Sequence, residues 1–159
     1  MEIVPGSADP FGGSGAFTVT NNTQIAEDLS QQLPVPASNH YTFSIYVASG
    51  QSIPVTLFLR GSQSQEPFIQ TPIATWTRMQ LSGSLADSSE LTVGITVQPG
   101  QSVVVCGPQL EMQPVPSPYR ATGARGGVYS NAHWAVEQLA VVAEGPDQFA
   151  TAFSIEASF

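Results

Sequence analysis

Lysine is missing from this chain, and its four cationic residues are all arginines: Arg60, Arg78, Arg120 and Arg125. The formal net charge is -8. Four scattered cations cannot neutralise a row of phosphates, so nucleic-acid binding is excluded. The same charge argues against adsorption to an anionic membrane surface. Charged residues make up only 10% of the sequence, against about 25% in an ordinary soluble domain, so solubility must rest on Ser, Thr, Gln and Asn. Such a neutral surface of hydroxyls and amides suits an all-β virion or extracellular protein, and it suits pairing with the hydroxyls of sugars. Without lysine, sheet edges must be covered by loops, prolines or neighbouring chains.

A single cysteine, Cys106, leaves no internal disulfide, and within the run Val103-Val104-Val105 it reads as a small buried hydrophobe. His40 and His133 are the two histidines and stand in no ligand-like cluster, so zinc is not expected. No apolar run approaches the ~20 residues of a membrane helix, and the opening residues do not read as a secretory signal. Export is then expected by lysis, within a larger assembly, or through a signal outside this sequence.

Chemistry is equally sparse. No Gly-x-Ser-x-Gly elbow precedes a helix. The twelve acids are scattered through turns and strand ends, and the adjacent Glu27 and Asp28 would point to opposite faces of a strand, so no pair faces another across a cleft. The Gly-rich opening Pro10 to Gly15 lacks the strand-before, helix-after context of a nucleotide fingerprint. The chain reads as non-enzymatic.

Pro and Gly interrupt the chain throughout, and the apolar residues alternate or run in short β-branched blocks, which makes strands the default. They are predicted over 16–20, 25–33, 40–48, 53–60, 75–81, 91–97, 102–110, 134–143 and 149–157. Tyr41, Phe43, Ile45 and Val47 share a core face, with Thr42, Ser44 and Tyr46 opposite. Val55, Leu57 and Leu59 alternate with Thr56, Phe58 and Arg60, and Leu91, Val93, Ile95 and Val97 with Thr92, Gly94 and Thr96. The turn Gln98 to Gln101 is expected to join the last of these to the Val103 run as a hairpin. Two such one-sided sheets must stack, which predicts an all-β, jelly-roll type β-sandwich of two antiparallel sheets. Its span is 1–123. Residues 124–159 are expected to form a C-terminal β-hairpin extension, too small to hold a core alone and so docked on the sandwich or on a neighbouring subunit.

The ordered set Asp9-Pro10-Phe11-Gly12-Gly13, Tyr41 to Gly50, Thr75-Trp76-Thr77-Arg78-Met79 and Val104 to Glu111, continuing through Ser117-Pro118-Tyr119 to Thr122-Gly123, resembles the carbohydrate-binding-module-like β-sandwich domains of phage tail and tail-fibre proteins. The chain departs from that pattern in two places: only Met1 to Val4 precede Pro5-Gly6, which is expected to leave the opening strand short of the full one usual there, and Cys106 stands where an aromatic residue is more usual. The resemblance implies a binding or adhesion module of a phage-like virion, recognising cell-surface glycan without chemistry. The alternative is a structural decoration or assembly subunit, a homo-oligomer contacting other virion subunits through its C-terminal hairpin. A third option is a non-catalytic module of a secreted carbohydrate-active enzyme. Either of the first two would sit in the virion or outside the cell.

The resemblance also implies that Trp76 is a buried wedge, and that a structural calcium could bind where the first and last strands meet, held by Asp9 and Glu111. The other reading of Glu111 is a surface acid or an acceptor of backbone hydrogen bonds. No other cofactor is expected. For a glycan the physical need is an aromatic plate with amides or arginine beside it. Tyr46, Phe58, Arg60, Tyr129 and Trp134 are the candidates, each with packing as its competing role.

Overall fold

The structure is a computed structural model that describes residues 1–51, 53–61, 68–85 and 90–120, with the backbone of three short strands beyond. Nine strands build the described body: β1 (Glu2–Ser7), β2 (Ala16–Thr20), β3 (Glu27–Pro34), β4 (Asn39–Ala48), β5 (Val55–Arg60), β6 (Phe68–Gln70), β7 (Thr77–Leu85), β8 (Glu90–Val97) and β9 (Ser102–Glu111). They form two antiparallel sheets, a larger one ordered β1-β2-β9-β4-β7 and a smaller one ordered β3-β8-β5-β6. The protein is a jelly-roll type β-sandwich.

Alternation makes the core. Tyr41, Phe43, Ile45 and Val47 from β4 meet Val55, Leu57 and Leu59 from β5 and Leu91, Val93, Ile95 and Val97 from β8 in one buried cluster. Each strand contributes one apolar face, so neither sheet could exclude water without the other.

Consecutive strands β8 and β9 lie in different sheets. The 98–101 turn is therefore a corner between layers and not the hairpin expected from its sequence. Two amides with fully buried side chains replace the ladder bonds lost there. Asn21 Nδ2 donates to Val97 O and Ile25 O, while Gln101 accepts from Gln98 N and donates to Ile53 O.

Three local expectations change. The opening strand is not cut short, because β1 runs through Pro5 and Gly6 as an edge strand, with a register shift between Pro5 and Ser7 and Gly6 at φ 92°. An edge tolerates both, since proline needs no partner on the solvent side and glycine accepts the left-handed backbone. Trp76 stands just before β7, half-buried and outside the core cluster. Thr42 and Ser44, on the face opposite the core, are fully buried.

A bulge and a covering segment explain that last point. Tyr46 pairs with Cys106 but Ser44 pairs with Gln109, so β9 carries an extra residue, and Gly107 absorbs it at φ 58°. The bulge keeps Gln109 and Glu111 on the outer face beside Ser44 and Thr42. Residues 112–120 then fold back over this face. Thr42 donates to Gln113 O (2.6 Å), Ser82 to Pro114 O (3.0 Å) and Arg78 Nη1 to Ser117 O (2.6 Å).

Of the C-terminal region, β10 (Val128–Tyr129) and β11 (Ala132–His133) pair antiparallel, and β12 (Glu156–Ser158) pairs parallel with Gln109 to Glu111 of β9. The predicted hairpin of 134–143 with 149–157 falls almost wholly outside the described residues.

Candidate functional site

Asp9 builds the first part of the site. Its carboxylate accepts the backbone N–H of Phe11 (2.8 Å), Gly13 (2.9 Å) and Gly15 (2.9 Å), and its own N–H donates to Gly13 O (3.0 Å). These donors hold the Asp9 carboxyl below the usual carboxylate range, with Gly15 and Gly13 the main causes. The glycines are needed for the wrap: Gly12 sits at φ 89°, and a Cβ on Gly13 would lie 2.6 Å from Asp9 Oδ2.

The loop presents Phe11. Phe11 is 54% exposed; its ring stacks on Tyr119 (centroids 4.8 Å apart, planes 16° apart) and meets Tyr46 edge-on (5.3 Å, 83°). Tyr46 and Tyr119 complete the triangle at 6.2 Å. Tyr119 in turn lies against the backbone of the bulge, where a Cβ on Gly107 would come within 2.8 Å of its ring. Beneath them Arg78 sets its guanidinium 5.5 Å from the Tyr46 centroid and donates to Ser44 Oγ (2.9 Å) as well as to Ser117 O. One apolar ring is thus left half exposed against two partly buried ones.

The sequence-predicted candidates divide. Tyr46 belongs to this cluster. Phe58 and Arg60 come together on the outer face of the smaller sheet, at the other side of the sandwich. There Phe58 packs against Gly94, is 2% exposed, and is capped by the Arg60 guanidinium 3.7 Å above its ring. Arg60 is itself anchored to Asp28 (2.7 Å), which also accepts from Thr96 (2.6 Å). Phe58 therefore packs and offers no free plate, while Arg60 is exposed and Thr56, Thr92 and Thr96 are half-buried. Tyr129 lies in β10, of which only the backbone is described, and Trp134 lies outside the described residues.

Sequence reasoning missed Phe11 and Tyr119. Both sat inside the motifs that carry the resemblance, and nothing local says that the β1–β2 loop and the exit from β9 meet side by side.

The two acids implied as calcium ligands are occupied by protein donors. Asp9 has its three N–H partners. Glu111, 1% exposed, accepts from Gln113 Nε2 (2.9 Å) and from both the N–H and the hydroxyl of Ser117. Among the described residues no three His, Cys, Asp or Glu side chains gather as a metal set. Burial, then the Asp9 charge, push the Cys106 thiol up to about 11, so it is no nucleophile at neutral pH.

No protein-family model matches the sequence, and a search of curated proteins finds no match. Solved structures do match. TmCBM61, in complex with β-1,4-galactotriose, aligns with a TM-score of 0.58 at 11% identity, over 70% of this chain and 81% of that one. A CBM4 structure aligns at 0.50 and 8% identity, over 60% and 69%. The chain shares its fold with carbohydrate-binding modules. At these identities the likeness speaks to fold, and the site must be argued from its own residues.

Proposed function

We propose that this protein is a non-catalytic carbohydrate-binding module that takes a sugar ring on the open face of Phe11. The observation that carries this is the exposed Phe11 ring itself, stacked on Tyr119 and braced by Tyr46. A pyranose has an apolar face of C–H groups that an aromatic ring covers well, and two tyrosines bring hydroxyls to the same cluster for pairing with sugar hydroxyls. A ring already fixed in place loses little entropy on binding. The fold shared with carbohydrate-binding modules supports the reading, and so does the composition, poor in charge and rich in hydroxyls and amides.

A virion or tail-fibre setting, with cell-surface glycan as the partner, rests on the ordered sequence resemblance. The assembly-subunit alternative is separated by particle size in solution: the module reading expects a monomer, and a trimer that falls apart on removing residues 128–159 would favour assembly.

Glycan-array screening with β-1,4-galactotriose among the probes, followed by calorimetry, tests the site. Phe11→Ala should weaken binding at least tenfold with the melting midpoint kept, and bound glycan should be recovered uncleaved. If Arg60→Ala abolishes binding and Phe11→Ala does not, the site lies on the smaller sheet. An array with no signal ends the proposal.

A further inference from the structure

We propose that Asp9 is a positioning residue for sugar binding, setting the Phe11 plate without touching the ligand. The inference rests on the Phe11 site proposed above and goes beyond it by naming what holds that site in its competent form.

The geometry is specific. A loop of Pro10, three glycines, a serine and one aromatic has little of its own to fix it, and each glycine widens the set of conformations open to it. Asp9 removes that freedom by collecting three N–H groups at every second residue, Phe11, Gly13 and Gly15, within 2.8–2.9 Å. The first of these is the amide of the plate residue itself, so the ring's backbone attachment is anchored directly. The last reaches the residue before β2, so the clamp ties the loop to the sheet.

Its oxygens are consumed by this task. Oδ1 accepts two bonds and Oδ2 one, out of about four lone-pair sites on a carboxylate. A group so engaged is poorly placed to recognise a sugar hydroxyl and well placed to hold a ring. Hydrogen bonds to an ionised acceptor are the stronger kind, which suits a short loop with no core of its own. Only a fraction of unclamped loops would hold Phe11 against Tyr119, and apparent affinity falls by that fraction.

The test is a double-mutant cycle read by NMR titration with β-1,4-galactotriose. Asp9→Ala should weaken binding about tenfold in the wild-type background and less than twofold in the Phe11→Ala background, because Asp9 acts only through the ring. Asp9→Asn, which keeps one acceptor oxygen, should fall between. In the free protein, Asp9→Ala should erase the ring-current shifts that Phe11 and Tyr119 impose on each other and leave the amide resonances of β5 and β8, in the other sheet, unmoved. At saturating sugar those shifts should return. Equal losses in both backgrounds, unchanged ring-current shifts, or wild-type affinity in Asp9→Ala would overturn the clamp. A Phe11→Ala protein that binds galactotriose as wild type does would instead remove the site, as would a wild-type protein that binds neither it nor any other glycan of the array, and the clamp falls with it.

Discussion

Glu111 and Ser117, six positions apart, close a ring in which one buried carboxylate accepts both the backbone N–H and the hydroxyl of a single serine. Through that ring the end of the last sandwich strand holds the segment that covers the outer face of the larger sheet. Arg78 grips the same serine from the carbonyl side.

Removing the carboxylate should loosen this cover. Glu111→Ala strands the donors of Ser117 and Gln113, and the expected loss is about 3 kcal/mol, in the range for hydrogen bonds to a charged group left unmade. Glu111→Gln keeps an acceptor and should lose about 1 kcal/mol on the same scale. Urea titration checks both, with a lower midpoint at unchanged slope. An alanine variant as stable as wild type would mean that the exit segment contributes no stability.

The bulge makes a second prediction. Gly107 combines φ 58° with the Tyr119 ring where a Cβ would go, so Gly107→Ala carries both a left-handed backbone penalty and a clash. About 2–3 kcal/mol of destabilisation is expected. In a Tyr119→Ala background the clash disappears and the cost should drop to about 1 kcal/mol. Equal costs in the two backgrounds would show that the ring yields freely.

Calcium is open to a direct check. Both implied ligands, Asp9 and Glu111, already carry protein donors, which do for them what an ion would. Adding chelator should leave the thermal midpoint where it is. A fall of several degrees, restored by calcium, would show that the ion binds after all.

Cys106 predicts an alkaline limb in stability. Burial raises its folded value to about 11, whereas an unfolded thiol titrates near 8.5, at about the reference value. The folded state thus keeps its proton over a range where the unfolded state has lost it. Stability is full below about pH 8.5 and falls as pH rises toward 11. Cys106→Ala should flatten this limb, and native Cys106 should resist alkylation until urea unfolds the chain. Rapid labelling of native protein at pH 8 would contradict the burial.

Much of the fold was legible because it is written at period two. The face of Tyr41, Phe43, Ile45 and Val47 could be assigned from its neighbours in sequence alone, since a strand turns each successive side chain to the opposite side. The site was legible only in pieces. Tyr46 was placed on the correct face, but the rings that meet it come from a loop and an exit segment far away in the chain. Phe58 alternates like an outward residue and does point outward. What buries it is Gly94 on one neighbouring strand and an arginine two positions on, neither of which alternation reports.

The sequence by itself determined that this would be a two-layer β protein with a charge-poor, lysine-free exterior, because composition and alternation are local properties that every conformation carries. Only the tertiary structure decided which strands share a sheet, that the 98–101 turn crosses between layers, and that Phe11, Tyr46 and Tyr119 meet. Those outcomes depend on contacts between distant segments, and a contact between distant segments exists only once the chain has closed on itself.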